Sequence, residues 1–341
     1  MQGDVMAARQ GQQGQAFDHD TGAVPVAATA VADTVISAWG DGHLRLFRPD
    51  AAPRAIRVHD GAILSMARGP EDMILTGGDD GLFARIRDGQ PEEIARFPRK
   101  WVDHVAAGES GVVACSVGRI VHLHEQPAGH RHELAHPSSI GGLAFDRRGR
   151  RLAVAHYGGV TVWSRVKNRW KGTRLIWAGS HGRVVWSPDH RFIVTSMQEN
   201  ALHGWRLRDK ADLRMSGYPA KVAGLAWAGD LPWLATTGAG QAILWPFDGA
   251  NGPMGRGPLT LCGLDGQALV TAVCALPGQQ GILAGFADGS IQRADLSGTT
   301  PPVPVRTGGG SAVTVLATTA DPTRLFAADD AGRVLWRTLE G

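Results

Sequence analysis

Four of the five histidines in HLHEQPAGHRHELAH (His122 to His136) lie close together, at positions His122, His124, His130 and His132. Neutral imidazole is a good ligand for zinc, copper or nickel. A spacing of two puts His122 and His124 on one face of a strand, and His130 and His132 on one face of the next. The intervening EQPAG reads as a short hairpin loop. Centred on Pro127, it sets His124 opposite His130 and His122 opposite His132. All four imidazoles then share one sheet face, close enough to hold zinc or another divalent transition metal. A slip of one residue sends the two pairs to opposite faces. The same run is then a polar, half-exposed outer sheet face.

A second group is cationic. Arg147, Arg148, Arg150, Arg151, Arg165, Lys167, Arg169, Lys171 and Arg174 fall in one span that contains no Asp or Glu. The whole chain carries a formal charge of only +3, so removing these nine leaves −6. Trp170 sits among them. A cationic patch with an exposed aromatic suits an acidic protein surface first and a nucleic-acid backbone second. The plainer reading is a solvated pair of loops.

Other chemistry is hard to find. There is no glycine-rich phosphate loop leading into a helix, no GxSxG and no HExxH. Cys115, Cys262 and Cys274 form no paired framework; Cys115 and Cys274 sit in apolar runs as small hydrophobes. The first 20 residues lack the apolar core of a signal peptide, and no 18-residue apolar stretch occurs. A soluble cytoplasmic protein is the expectation.

The elements that position these groups are repeated. LAFDRRGRRLAVAHYGGVTVW (Leu143 to Trp163), VVWSPDHRFIVTSMQENALHGW (Val184 to Trp205) and LAWAGDLPWLATTGAGQAILW (Leu225 to Trp245) share one pattern, with Trp163, Trp205 and Trp245 42 and 40 residues apart. A turn residue recurs at Gly42, Gly81, Gly118, Gly158, Asn200, Gly240, Gly289 and Gly332, at intervals of 39, 37, 40, 42, 40, 49 and 43. Alternating segments follow each turn (HLRLF, GVTVW, QAILW, RVLW), which is the period of strands. In the fourth unit the expected strands are Gly141 to Phe145, Arg151 to His156, Val160 to Ser164 and about Thr173 to Trp177. Four-stranded units at this period form the blades of a β-propeller, because only a closed ring covers both apolar faces of each blade. An all-β, eight-bladed propeller is expected. Seven blades is the alternative, should the third or eighth unit be degenerate.

The whole chain is then one domain. The eighth unit stops after three strands, and residues 1–23, through Gln13 to Gly22, are placed to supply its outer strand and close the ring. The turns between second and third strands, with the connections between blades, form one ring face. They display Trp39, Lys100, Trp101, His156, Tyr157, His181, Gln198, Glu199, Tyr218 and Lys221, a mixture that suits a protein interface. Pro246 to Leu259 is an insertion that explains the 49-residue interval.

These features resemble the WD-repeat (Trp-Asp repeat) β-propeller family, in a bacterial single-domain form. WSPDHRF (Trp186 to Phe192) looks like the family's FSPDG turn, and GGDDG (Gly77 to Gly81) like its SDDG turn. His59 and His136 occupy the place of the family's Gly-His histidine, and Trp163, Trp205 and Trp245 match its Trp. The departures are consistent: Ser164, Arg206 and Pro246 follow the three Trp where the family has Asp, and neither His follows a Gly. The resemblance implies an incomplete Asp–His–Ser–Trp network in most blades. It also implies a scaffold that binds other proteins and is not an enzyme. The alternative function is metal handling through the histidine run; a propeller enzyme with a channel site ranks third.

Overall fold

In a computed structural model the protein is described over residues 19–125, 129–229, 232–264, 267–278, 280–320 and 323–339. Antiparallel strands form seven hydrogen-bonded sheets. The first spans 25–57, the second 63–96, the third 104–135, the fifth 225–263 and the sixth 270–306, each with four strands in sequence order. The seventh joins the strands of 313–338 to His19–Asp20. The fourth, spanning 140–216, has six. Among the described residues no helix is long and apolar enough to cross a membrane.

This corrects the expectation of eight separate blades. The fourth and fifth units are one sheet because Arg169–Trp186 runs through both as a single strand. Its first part pairs with the second half of Arg151–Val166, from Gly159↔Ile176 to Val166↔Arg169. Its last part pairs with Phe192–Met197. Elsewhere the connection between units leaves the sheet. Here Tyr157 pairs with Ser180 across a register shift that skips Trp177 to Gly179, and this bridge keeps the two units in one sheet. The reduced count therefore comes from a join, and neither the third nor the eighth unit is degenerate.

The first strand of each unit lies innermost, and these strands neighbour one another around a central channel. Apolar side chains of successive sheets meet face to face. Ala38, Leu44 and Ile56 of the first sheet pack on Ile63, Ile74 and Leu82 of the second. Phe47 of the first meets Phe326 of the seventh edge-on, ring centroids 5.0 Å apart. Burying each such Phe is worth about 1.5–3 kcal/mol, and only the closed ring buries both. The alternation seen in the sequence is what gives each strand one side chain for each neighbouring sheet.

Closure uses His19–Asp20, which pairs with Val334 and Arg333. Thr21 continues it, its Oγ1 donating to the Gly332 carbonyl at 2.7 Å. Gln13 to Asp18, also expected in this strand, lie outside the described residues. The turn glycines do what positive φ allows: at Gly81 (φ +78°) a Cβ would stand 2.1 Å from the Phe97 carbonyl oxygen. The landmark fails at Asn200 and Gly240, which keep ordinary φ, and Gly238 (φ +95°) carries the sixth unit's turn instead.

Sequential antiparallel strands divide the loops between two ring faces. Turns joining strands one to two and three to four lie on one. Turns joining two to three, and connections from four to the next one, lie on the other.

Candidate functional site

The histidine run takes the slipped register. His122 pairs with Glu133, His124 with Arg131, Leu123 with His132, and Glu125 with His130. His122 and His124 therefore share a face from which His130 and His132 are excluded. The expected four-imidazole metal site is not assembled. Core burial sets this register: it puts Val121, Leu123 and Leu134 together against the fourth unit. The signal was in the sequence, in Leu134, which the metal register would have turned to the wrong face. His124 is buried against Phe83, and His122 lies with its ring 4.4 Å from that of Phe97. Burial, then the charge of Arg131, lowers the His124 pKa to about 4. The loop centre, Pro127, lies outside the described residues. Among the described residues no three His, Cys, Asp or Glu side chains are grouped to hold a metal ion.

The opposite face of the same hairpin holds a group the sequence did not announce. Glu125 is buried, 5% exposed. It accepts hydrogen bonds from Arg165 at 2.6 Å and from the Trp170 indole at 2.9 Å. His132 Nε2 lies 3.4 Å away. Trp170 is thus buried, and the expected exposed aromatic of the basic patch is a core residue pinned to a carboxylate.

The patch itself is partly neutralised. Arg147 lies 3.6 Å from Glu109, and Arg151 bonds Asp146 at 2.9 Å while its guanidinium stacks 4.5 Å from the Trp186 ring. With Arg165 on Glu125, three of the nine cations have acid partners drawn from outside the acid-free span. Arg148, Arg150, Lys167, Arg169, Lys171 and Arg174 are exposed and have no ion-pair partner among the described residues. The expected long loop is also corrected. Val166 pairs with Arg169, so Lys167 and Asn168 alone make the turn, and Arg169 and Lys171 project from a strand. Lys167 adopts φ +55° to close it. A groove of about 500 Å³ at this end is lined by Arg148, Arg150, Arg165 and His190 together with the acids Asp146 and Asp189.

The other ring face divides into packed and exposed members. Trp39, His156, His181 and Tyr218 are buried, against expectation. Each is tied into its own unit. Trp39 donates to Ser37 Oγ at 2.8 Å, His156 Nε2 lies 2.9 Å from Thr161 Oγ1, and His181 Nδ1 lies 2.8 Å from Thr195 Oγ1. The Trp245 indole donates to Tyr218, which reaches Thr236 Oγ1, both at 2.7 Å. Related ties hold His59 to Asp80 at 2.9 Å and Thr76 at 2.8 Å, and Trp163 to His136 at 2.9 Å. Lys100, Trp101, Tyr157, Glu199 and Lys221 remain exposed, with Lys221 bonded to Gln198 at 2.8 Å. Trp101 is 63% and Tyr157 65% exposed, and Ile176 beside the Tyr157 turn is 74% exposed. Val24 and Leu264, on connections between units, are exposed on the same face.

One further charge was missed. Among the described residues, Arg183 and Arg68 are the only Lys, Arg, Asp or Glu side chains on the innermost strands. Arg68 bonds Asp72 at 2.5 Å. Arg183 lines the channel and is exposed to the solvent in it, although the protein packed around the channel lowers its pKa. Burial, opposed by Asp103 and aided by Arg183, lowers the pKa of nearby His104. The cysteines offer no reactive thiol: burial pushes Cys262 up to about 12 and Cys274 up to about 11.

No family model matches the chain. No curated protein matches it either. Among solved structures it is similar to the computationally designed Ika8 protein, with a TM-score of 0.74 and 16% identity, over 95% of this chain and 98% of that one. At that identity the likeness speaks to fold, a β-propeller, and to nothing in the sites.

Proposed function

We propose that the protein is a non-enzymatic interaction scaffold of WD-repeat type, whose partner is a protein bound on the ring face that carries Trp101 and Tyr157. One observation carries this reading. Trp101, Tyr157 and Ile176 are 63%, 65% and 74% exposed on a single face, while comparable aromatics elsewhere are packed. Large apolar groups held in water cost free energy that a partner surface relieves, and aromatic side chains dominate such contacts. The His59–Thr76 and Trp245–Tyr218–Thr236 ties support the WD-repeat resemblance, since they join the same positions within a blade.

Arg148, Arg150, Lys167, Arg169 and Lys171, which have no ion-pair partner among the described residues and lie towards the opposite face, support a second contact, with an acidic surface or a nucleic-acid backbone. Affinity through that contact falls as salt rises.

The test is affinity capture with three full-length proteins: unmutated, Trp101→Ala with Tyr157→Ser, and Arg148, Arg150, Lys167 and Lys171 all changed to Ser. Loss of a captured protein in the ring-face variant alone supports the main reading. Loss in the basic variant alone moves the site to the opposite face. Retention of every captured molecule by both variants refutes the proposal.

A further inference from the structure

The channel mouth on the Trp101 face is a built cavity of about 330 Å³. Its wall comes from inner strands of the first, second, third, fourth and fifth sheets. Three polar side chains stand in it. Arg183 has no ion-pair partner among the described residues. The Ser65 hydroxyl is buried and has no hydrogen-bond partner among the described residues. His104 lies within reach of the Arg183 field. The remaining wall is apolar, with Leu64, Met66 and Leu143.

Arg183 is exposed to the water of the channel and stands without an ion-pair partner among the described residues, so its guanidinium is available to an anion that enters beside the apolar wall. We propose that this cavity binds an organic carboxylate. The guanidinium fork would take the carboxylate oxygens side by side, and Leu64, Met66 and Leu143 would cover an apolar body.

The composition of the wall selects this class. One cation balances one negative charge, whereas a dianionic phosphate ester needs more positive charge than Arg183 alone supplies. Neutral ligands leave the guanidinium unpaired. The volume lies at the lower end of small-ligand pockets, roughly 300–1,000 Å³, which fits a chain of a few carbons and leaves no room for a nucleotide. The proposal goes beyond the scaffold reading and does not rest on it: a free acid entering the channel satisfies it as well as an acidic side chain on a partner.

The experiment titrates the full-length protein with hexanoate, hexanamide and inorganic phosphate, following the Arg183 side-chain resonance by NMR and the heat by calorimetry. Hexanoate is expected to move the Arg183 resonance and to bind at least about tenfold more tightly than hexanamide or phosphate. Arg183→Met is expected to weaken hexanoate about tenfold or more, and Arg183→Lys to weaken it less, since Lys keeps the charge and loses the fork. Both variants should melt like the unmutated protein, because Arg183 has no ion pair to lose. The comparison of hexanoate with hexanamide needs no variant, so a folding defect leaves it decisive. A blocked Gly-Gly-Glu-Gly-Gly peptide and its Gln analogue separate the sources. Tighter binding of the Glu peptide than of hexanoate points to a polypeptide carboxylate; binding of hexanoate alone points to a free acid. Equal binding of hexanoate and hexanamide, a preference for phosphate, or no binding of any carboxylate probe overturns the proposal.

Discussion

Glu125 gives the sharpest stability prediction. Its carboxylate is 5% exposed and joins the third and fourth sheets by accepting from Arg165 at 2.6 Å and from Trp170 at 2.9 Å. Glu125→Ala leaves the buried Trp170 N–H without an acceptor, which costs about 1–3 kcal/mol. Arg165 is 35% exposed and recovers water, so its share is about 0–1 kcal/mol. The one methylene removed adds about 0.8 kcal/mol. The sum is on the order of 3 kcal/mol. With unfolding entropy of about 2.1 cal/mol/K per residue and 341 residues, that lowers Tm by about 4 °C. Glu125→Gln keeps an oxygen for Trp170 and loses the ion pair, so its loss should be less than half as large. Scanning calorimetry reads both shifts, and the tryptophan fluorescence transition in urea reads both stabilities. The reasoning fails if Glu125→Ala melts with the unmutated protein, or if Gln and Ala are equally destabilising.

Three further outcomes follow from the same structure. Deleting residues 1–22 removes His19–Asp20 and the Thr21 bond to Gly332, exposing the edge at Arg333 and Val334, so the truncated chain should aggregate or melt clearly lower, read by size-exclusion chromatography and calorimetry. Tyr218→Phe removes the hydroxyl between Trp245 and Thr236 and should cost about 1–3 kcal/mol in urea unfolding, with the ring face otherwise unchanged. Burial lowers His124, His136 and His203 to about 4 from an ordinary 6.5, so between those values the unfolded chain binds more protons; stability is full above about pH 6.5 and falls as pH drops toward 4. Urea midpoints between pH 7 and 4.5 check the sign, and a midpoint that holds steady or rises on acidification contradicts it.

The sequence carried the periodic part of the fold. Alternation and turn glycines located the strands, because side-chain direction and positive φ are local properties. What it did not carry depends on pairing across strands. The hairpin of Ile120–Glu125 with His130–Ala135 has histidines alternating on both strands, so the imidazoles look equally well aligned in either register; burial of Leu134 decides. Trp170 looked like an exposed aromatic among cations because its acceptor, Glu125, is 45 residues away. Comparably long separations in sequence hid the acids that neutralise Arg147 and Arg165. The join between the fourth and fifth units depends on the Tyr157↔Ser180 pairing, which leaves no mark in the pattern of either strand. On the ring face, Trp101 and Tyr157 could be named as candidates, but only packing separates them from Trp39, His156, His181 and Tyr218.

The central claim, that the Trp101 face is where a partner docks, is tested most directly by photocrosslinking in extract. A photoreactive phenylalanine is placed at Tyr157, which is 65% exposed on that face, and separately at Val303, which is 59% exposed on the outer strand Val303–Arg306. The account predicts a discrete protein adduct from position 157, lost on Trp101→Ala, with none from position 303. Equal adducts from both positions, or adducts from 303 alone, would contradict it.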